Sequence, residues 1–285
     1  MKLPPFDYAC PTTLPEAVQL LASGDGDAKA LAGGQSLMPM LAFRLAHPTL
    51  LVDLRKLADL RGIRISDEGV TLGAMVRWRD IEDDARLDVA HPLLKAAIAH
   101  VAHYQIRNRG TVGGSIAHAD PAAEMPGIAM TCDAEIAVVG KSGARVFQAA
   151  DFFQGALTTA LEPDQIIVEI RLPPWPKGRR WGFQEFARRR GDFAMAAAAV
   201  FCDQDQHGRA TNAHVGVVGV GDRPLRLCGV EDVLNGQVVD DATIAKAEAA
   251  AAAAVDPQDD IHASAAYRRA LTGTMVERAL KQAAA

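Results

Sequence analysis

The sequence predicts an α+β protein built as two successive units, and three observations carry that reading. Strand-like and helix-like runs are mixed along the chain up to Pro173. The stretch "PPWPKG", Pro173 to Gly178, then breaks the chain with three prolines and a glycine, as a domain boundary does. Beyond it, strand-like runs come first and helical runs last, the order of an α+β unit.

Taken in order, "TTLPEAVQLLAS" sets Thr13 three residues before Glu16, a capping-box spacing, and continues with apolar Val18, Leu20 and Leu21 as one face of a helix. "AKALA", Ala28 to Ala32, runs into two glycines. "TLLVDL" (Thr49 to Leu54) and "GVTLGAMV" (Gly69 to Val76) have the make-up of short buried strands. "DVAHPLLKAAIAHVA", Asp88 to Ala102, spaces Leu93, Leu94, Ala97, Ile98 and Val101 as one helix, followed by a loop containing "RNRG". "EIAVVGKSGARVFQ" is two apolar runs around a Gly-Lys-Ser-Gly turn, a hairpin, and "QIIVEIRLP" is a strand from Gln165 to Pro173. Past the break, "WGFQEFARR", "MAAAAVFC" and "HVGVVGV" give two or three strands. The alanine-rich "ATIAKAEAAAAAAV" and "SAAYRRALTGTMVERALKQ" give two helices.

At 285 residues the chain can bury a sizeable core and allows two or three modest domains. A net charge of -5 leaves no electrostatic footprint for nucleic acid. The start, "MKLPPFDYAC", has no apolar core of a secretory signal, and the longest apolar runs fall well short of the roughly 20 residues of a membrane span, so a soluble cytoplasmic protein is expected. Cys10, Cys132, Cys202 and Cys228 form no C-x-x-C pair, which argues against a disulfide framework or a cluster site on this chain. They are expected to be buried small hydrophobes.

The chemistry gathers at two places. In "ALAGGQS" the pair Gly33-Gly34 is trailed by a serine, and in "RGTVGGSIAHADPAAEMP" Gly113-Gly114 is trailed by Ser115. Glycine lets successive N–H groups turn toward one point and lets the main chain approach an anion, while a serine adds a hydroxyl donor; pyrophosphate is the natural guest. A single such pair is more simply a tight turn, but two in matching contexts weigh as much toward an anion clamp. Other signatures fail. "VVGKSG" has Glu135 where a P-loop needs glycine, and Gly219 and Gly221 are followed by Pro224 where a dinucleotide fingerprint needs its third glycine. No G-x-S-x-G or H-E-x-x-H occurs. His100 and His103 lack acidic or thiol partners and read as packing, and Asp120 reads as the cap of the turn before Pro121.

At these loops the sequence resembles a known family, the FAD-binding medium subunit of molybdenum hydroxylases in the carbon monoxide dehydrogenase and xanthine dehydrogenase group. "FDYACPTTLPEAVQLL", "ALAGGQSLMPMLAFRLAHPTLLVDL", "HYQIRNRGTVGGSIAHADPAAEMP" and "FQEFARRRGDFAMAAAAV" carry the resemblance, which runs from the amino terminus to at least Val220. It implies an α+β fold: a two-part FAD-binding PCMH-type domain over 1–175, of the vanillyl-alcohol oxidase and MurB-like kind, divided near 57, then a small C-terminal domain over 176–285. It implies that Ala32, Gly33, Gly34, Gln35 and Ser36 form one loop around the pyrophosphate of FAD and that Thr111, Val112, Gly113, Gly114 and Ser115 form the other. Val101, Glu124, Ile167 or Val168, and Phe193 fall at or near further cofactor contacts. Gln184 stands where one branch has a lysine. No catalytic or metal-binding residue is implied on this chain. The partners implied are a large molybdopterin subunit and a small [2Fe-2S] subunit, in a dimer of heterotrimers, with electrons leaving FAD for NAD, a quinone or a similar acceptor. The competing reading, a free-standing flavin oxidoreductase of the same fold, would need its own acid–base groups, for which the chain offers Tyr104, His118 and Glu124.

Overall fold

A computed structural model describes residues 2–285. The first unit is β1 (Asp7–Ala9), α1 (Leu14–Ser23), β2 (Ala28–Leu31), α2 (Leu37–Ala42) and β3 (Leu50–Asp53), its strands forming a parallel sheet in the order β1-β3-β2. Parallel neighbours need crossovers, which α1 and α2 supply. The Thr13 hydroxyl caps α1 by accepting from the Glu16 N–H, while the Glu16 carboxylate reaches past Thr13 to the Thr12 N–H at 3.1 Å. Ala17, Val18 and Leu21 form the buried face of α1.

The second sheet is antiparallel: β4 (Ile63–Ser66), β5 (Gly69–Gly73), β6 (Glu135–Gly140), β7 (Gly143–Gln148) and, after the small ribbon β8 (Phe153–Gly155) and β9 (Thr158–Thr159), β10 (Ile166–Leu172), in the order β4-β5-β10-β6-β7. A helical layer lies between β5 and β6 in sequence: α3 (Trp78–Asp83), α4 (Leu87–Ala90), α5 (Pro92–Ile98), α6 (Tyr104–Arg107), α7 (Val112–His118) and α8 (Glu124–Thr131). A last short helix, α9 (Ala149–Phe152), follows β7. The single helix expected over Asp88 to Ala102 is broken in two. Pro92 has no N–H to continue the ladder and forces the residue before it out of helical geometry; His91 turns away at φ -163 and its Nδ1 accepts from the Leu94 N–H, capping α5. The second piece ends at Ile98, so Val101 stands on the loop beyond it.

The third sheet, β11 (Arg180–Phe186), β12 (Ala196–Gln204), β13 (Ala210–Val218) and β14 (Leu225–Arg226), is antiparallel in that order, with α10 (Cys228–Leu234), α11 (Asp241–Ala254) and α12 (Ala265–Ala284) following. The alanine run of β12 reads as continuous apolar sequence because both its faces are buried. Ala197, Ala199 and Phe201 join the core that holds Ile98, Met125 and Ile128, while Ala196, Ala198, Val200 and Cys202 join the core of α11 and α12. The proline-rich break between the units is itself packed: Trp175 lies against His91 and Phe201 with ring centroids 4.6 and 5.5 Å apart, and Arg179 covers Phe201 at 4.4 Å while pairing with Asp203. Of the cysteines, Cys132 and Cys202 are buried as expected, but Cys10 is half-buried and Cys228 is exposed at the start of α10. Among the described residues, no helix is long and apolar enough to cross a membrane, and no group of His, Cys, Asp or Glu could hold a metal ion.

Candidate cofactor site

The two glycine loops meet. β2 ends at Leu31 and the chain passes through Ala32 to Ser36 before entering α2, with Gly34 at φ +73, where a β-carbon is strained. A β-carbon on Gly33 would stand 2.2 Å from the Arg109 carbonyl oxygen and 2.9 Å from the Gly110 Cα, so the absent side chain is what lets the loops touch. On the other side Thr111 caps α7 by accepting from the Gly114 N–H at 3.2 Å. Gly113 lies against Ala74, where a β-carbon would stand 2.5 Å from the alanine methyl.

The loops differ in what they offer. In the second, the N–H groups of Val112, Gly113, Gly114 and Ser115 are all spent inside the protein, on Val76, Ala74 and Thr111. In the first, the N–H groups of Gly33, Gly34, Gln35, Ser36 and Leu37 donate to no acceptor among the described residues. Unpaired backbone donors in succession form an anion-binding concavity. The equal roles that the sequence suggests for the two loops are therefore unequal in the structure: the first presents amides, and the second fixes it in place and adds the Ser115 hydroxyl.

Both loops open on a cleft of about 1650 Å³ that runs between the first sheet, the helical layer and the near edge of the C-terminal unit. It is larger than an ordinary small-molecule pocket. Ala32 to Ser36, Val101, Thr111, Gly113 to Ser115, Glu124, Ile167 and Phe193 all line it. Val112, Val168 and Gln184 do not. Val112 points into the core, and Val168 packs under the first sheet at the bulge where β10 shifts register against β6. Gln184 lies on the far face of β11, where its amide donates to Gln282 Oε1 at 2.9 Å. Phe193 is an exposed ring at the mouth.

Glu124 is the titratable group most altered by this wall. It opens α8, a helix buried on every side, and burial together with the charge of Asp120 pushes its carboxyl up to about 7. Asp120 itself accepts from the Ala122 N–H at 2.9 Å, the turn cap that the sequence suggests. His100 and His103 serve packing: His100 lies edge-on to Phe183, and His103 stands where a side chain on Gly191 would fall.

Sequence reasoning missed Arg268. It comes from α12, is buried, and donates from Nη1 to the carbonyls of Met195 and Gly219 at 2.9 and 2.7 Å and from Nη2 to Asp260. It thereby ties the start of β12 and the end of β13 to the cleft, and an arginine inside an alanine-rich helix gives no sign of that in sequence. The β8-β9 ribbon, which lends Thr158 and Thr159 to the wall, was equally silent.

A long cleft with an unsatisfied amide run at one end defines a subunit that holds an extended anionic cofactor. Residues 4–175 match the family described as FAD binding domain in molybdopterin dehydrogenase, and residues 181–283 match the CO dehydrogenase flavoprotein C-terminal domain. The 6-hydroxypseudooxynicotine dehydrogenase complex subunit alpha of Paenarthrobacter nicotinovorans is 39% identical, over 99% of this chain and 96% of its own length. The carbon monoxide dehydrogenase medium chain of Hydrogenophaga pseudoflava is 36% identical over 98% of this chain and 97% of its own. Among solved structures, quinoline 2-oxidoreductase from Pseudomonas putida 86 superposes with a TM-score of 0.95 at 39% identity, covering 100% of this chain and 98% of the other. The chain belongs to the FAD-binding medium subunits of molybdenum hydroxylases, an oxidoreductase family, with the α+β fold the sequence implied.

Proposed function

We propose that this chain is the electron-transfer subunit of a multisubunit molybdenum hydroxylase, holding FAD in the cleft between its two glycine loops. The observation that carries the reading is the run of five N–H groups from Gly33 to Leu37, unpaired among the described residues, at one end of a cleft lined by both loops. Those amides, with the Ser36 and Ser115 hydroxyls, would hold the pyrophosphate; Ala32, Gln35, Thr111, Gly113 and Gly114 shape the clamp. Val101 and Ile167 supply apolar wall, Glu124 a polar contact and Phe193 a ring at the mouth. Val112, Val168 and Gln184 are not among the residues lining the cleft. Bound FAD accepts electrons singly and releases them in pairs, the chemistry that joins iron–sulfur clusters to a pair-accepting oxidant such as NAD or a quinone.

The division of the chain at about 57 and 175 goes with this reading. So does assembly in the cytoplasm with a large molybdopterin subunit and a small [2Fe-2S] subunit as a dimer of heterotrimers. The work of this chain's own residues is to bind, orient and exclude water. The test is direct: the purified chain or complex should show flavin absorption and release FAD on denaturation. A colourless protein that releases no FAD overturns the proposal.

A further inference from the structure

The turn that carries Val101 into the cleft wall is built around one arginine. α5 ends at Ile98, and the chain reaches α6 through Ala102, whose φ of +42 is the left-handed conformation that a residue with a side chain keeps only when its surroundings hold it there. Arg107, the last residue of α6, supplies the hold. Its Nη1 carries two N–H groups and donates to the Val101 carbonyl and to the Ala102 carbonyl, each at 3.0 Å.

The turn is gripped from two further sides. Glu82 of α3 brings Oε1 to 3.0 Å of Arg107 Nε, an ion pair whose N–H is not aligned for a hydrogen bond. Across the turn stands Gly191, on the loop after β11, at φ +88; a β-carbon there would lie 2.7 Å from the Ala102 carbonyl oxygen and 2.6 Å from His103 Nδ1. The Val101–Ala102 turn is thus clamped between a guanidinium and the bare backbone of the loop that carries Phe193. Val101, Ala102, Gly191 and Phe193 all line the cleft.

The contact between the glycine loops does not depend on that guanidinium. The Arg109 and Gly110 N–H groups donate to the Ile106 carbonyl at 3.0 and 2.7 Å, and the Gly110 carbonyl accepts from the Trp78 N–H at 3.3 Å. Main-chain bonds therefore fix the backbone that meets Gly33, while a side chain fixes the wall at Val101. A flavin that passes electrons to an external acceptor needs its ring where that acceptor can reach it, which is the mouth, where Phe193 is exposed.

We propose that Arg107 is a positioning residue for the flavin ring, acting through the Val101–Ala102 turn and the Gly191–Phe193 loop packed on it, without touching the cofactor. The inference rests on the FAD reading, in which the Gly33–Leu37 amides hold the pyrophosphate. It assigns the two ends of the site to separate supports.

The test compares FAD with ADP, which has the pyrophosphate but no flavin ring, in titrations of the flavin-free chain. Arg107→Met keeps the stem and removes the donors. It should weaken FAD by about tenfold and leave ADP within about twofold of the parent. At full FAD loading its visible flavin band should lose the vibronic shoulders of a ring shielded from water, and Arg107→Lys, which keeps a donor, should recover most of the affinity. Unchanged FAD affinity and spectrum overturn the proposal, and so does an equal loss of FAD and ADP. A parent chain that binds FAD but not ADP also overturns it, because the pyrophosphate end then does not hold by itself. Should Arg107→Met not fold, Gly191→Ala presses on the same carbonyl from the other side; the same split is expected, and unchanged FAD affinity overturns the proposal. A parent chain that binds no FAD at all strikes the FAD reading, and the proposal falls with it.

Discussion

Gly33 and Arg109 touch through their backbones: a β-carbon at Gly33 would stand 2.2 Å from the Arg109 carbonyl oxygen. The contact joins two loops about 80 residues apart in sequence and holds the amide-bearing loop against the one whose amides are spent.

Gly33→Ala should therefore push the loops apart. Overpacking of this kind costs about 1–3 kcal/mol, and here it also moves the amide run, so FAD content after desalting should fall severalfold with a modest drop in Tm. Gly62→Ala is the control, since nothing lies within 4 Å of a β-carbon there and its φ is -80. Equal FAD content in the two variants would detach the loop contact from binding.

Thr111 should be replaceable by serine but not by alanine. Its hydroxyl caps α7 by accepting from the Gly114 N–H, and loss of such a cap costs about 1 kcal/mol. Urea unfolding should place Thr111→Ala below the parent by that amount, with Thr111→Ser close to it.

Arg268→Met should loosen the rim of the cleft. The substitution keeps the length and apolar stem but leaves the Met195 and Gly219 carbonyls without their charged donor, a loss of about 3 kcal/mol for hydrogen bonds of this kind. The expected result is a lower urea midpoint together with weaker FAD retention. Unchanged stability would show that water replaces the guanidinium without cost.

Stability of the flavin-free protein should decline toward both acid and alkali. Burial lowers His91 from 6.5 to about 3, so the unfolded chain binds that proton first and stability is lost as pH falls through this interval. Burial raises Glu124 and Glu185 from 4.5 to about 7 and about 8, so the unfolded chain gives up those protons first and stability is lost as pH rises through that one. Above 6.5 only the acids act within this set. Tm should fall from there toward pH 8 in the parent protein and fall less in Glu185→Gln; parallel Tm curves would contradict the assignment.

Legibility followed physical cause. Strands such as Leu50–Asp53 and Ile166–Leu172 were readable because burial demands continuous apolar residues, and α1 was readable from its cap. Helix α8 was not: Pro126 and Gly127 are poor helix formers, and with every residue buried there is no polar face to produce a period. The glycine pairs announced a clamp, but only geometry shows that the two loops divide its duties. Glu185 left no mark in sequence, since a lone glutamate in a strand is ordinarily a solvated one. Its burial arises where the end of the α5 segment packs against β11.

The doubly buried strand β12 has a further consequence for the chain's ancestry and engineering. Because Phe183, Ala199 and Phe201 belong to the same core as Ile98 and Met125, the two matched regions share an interior. A chain cut at Pro173 would present that interior as a sticky wall, and a graft of a relative's C-terminal region would meet an alien helical surface. The two regions are thus bound to vary together, with alanine spacing in one answering helix placement in the other.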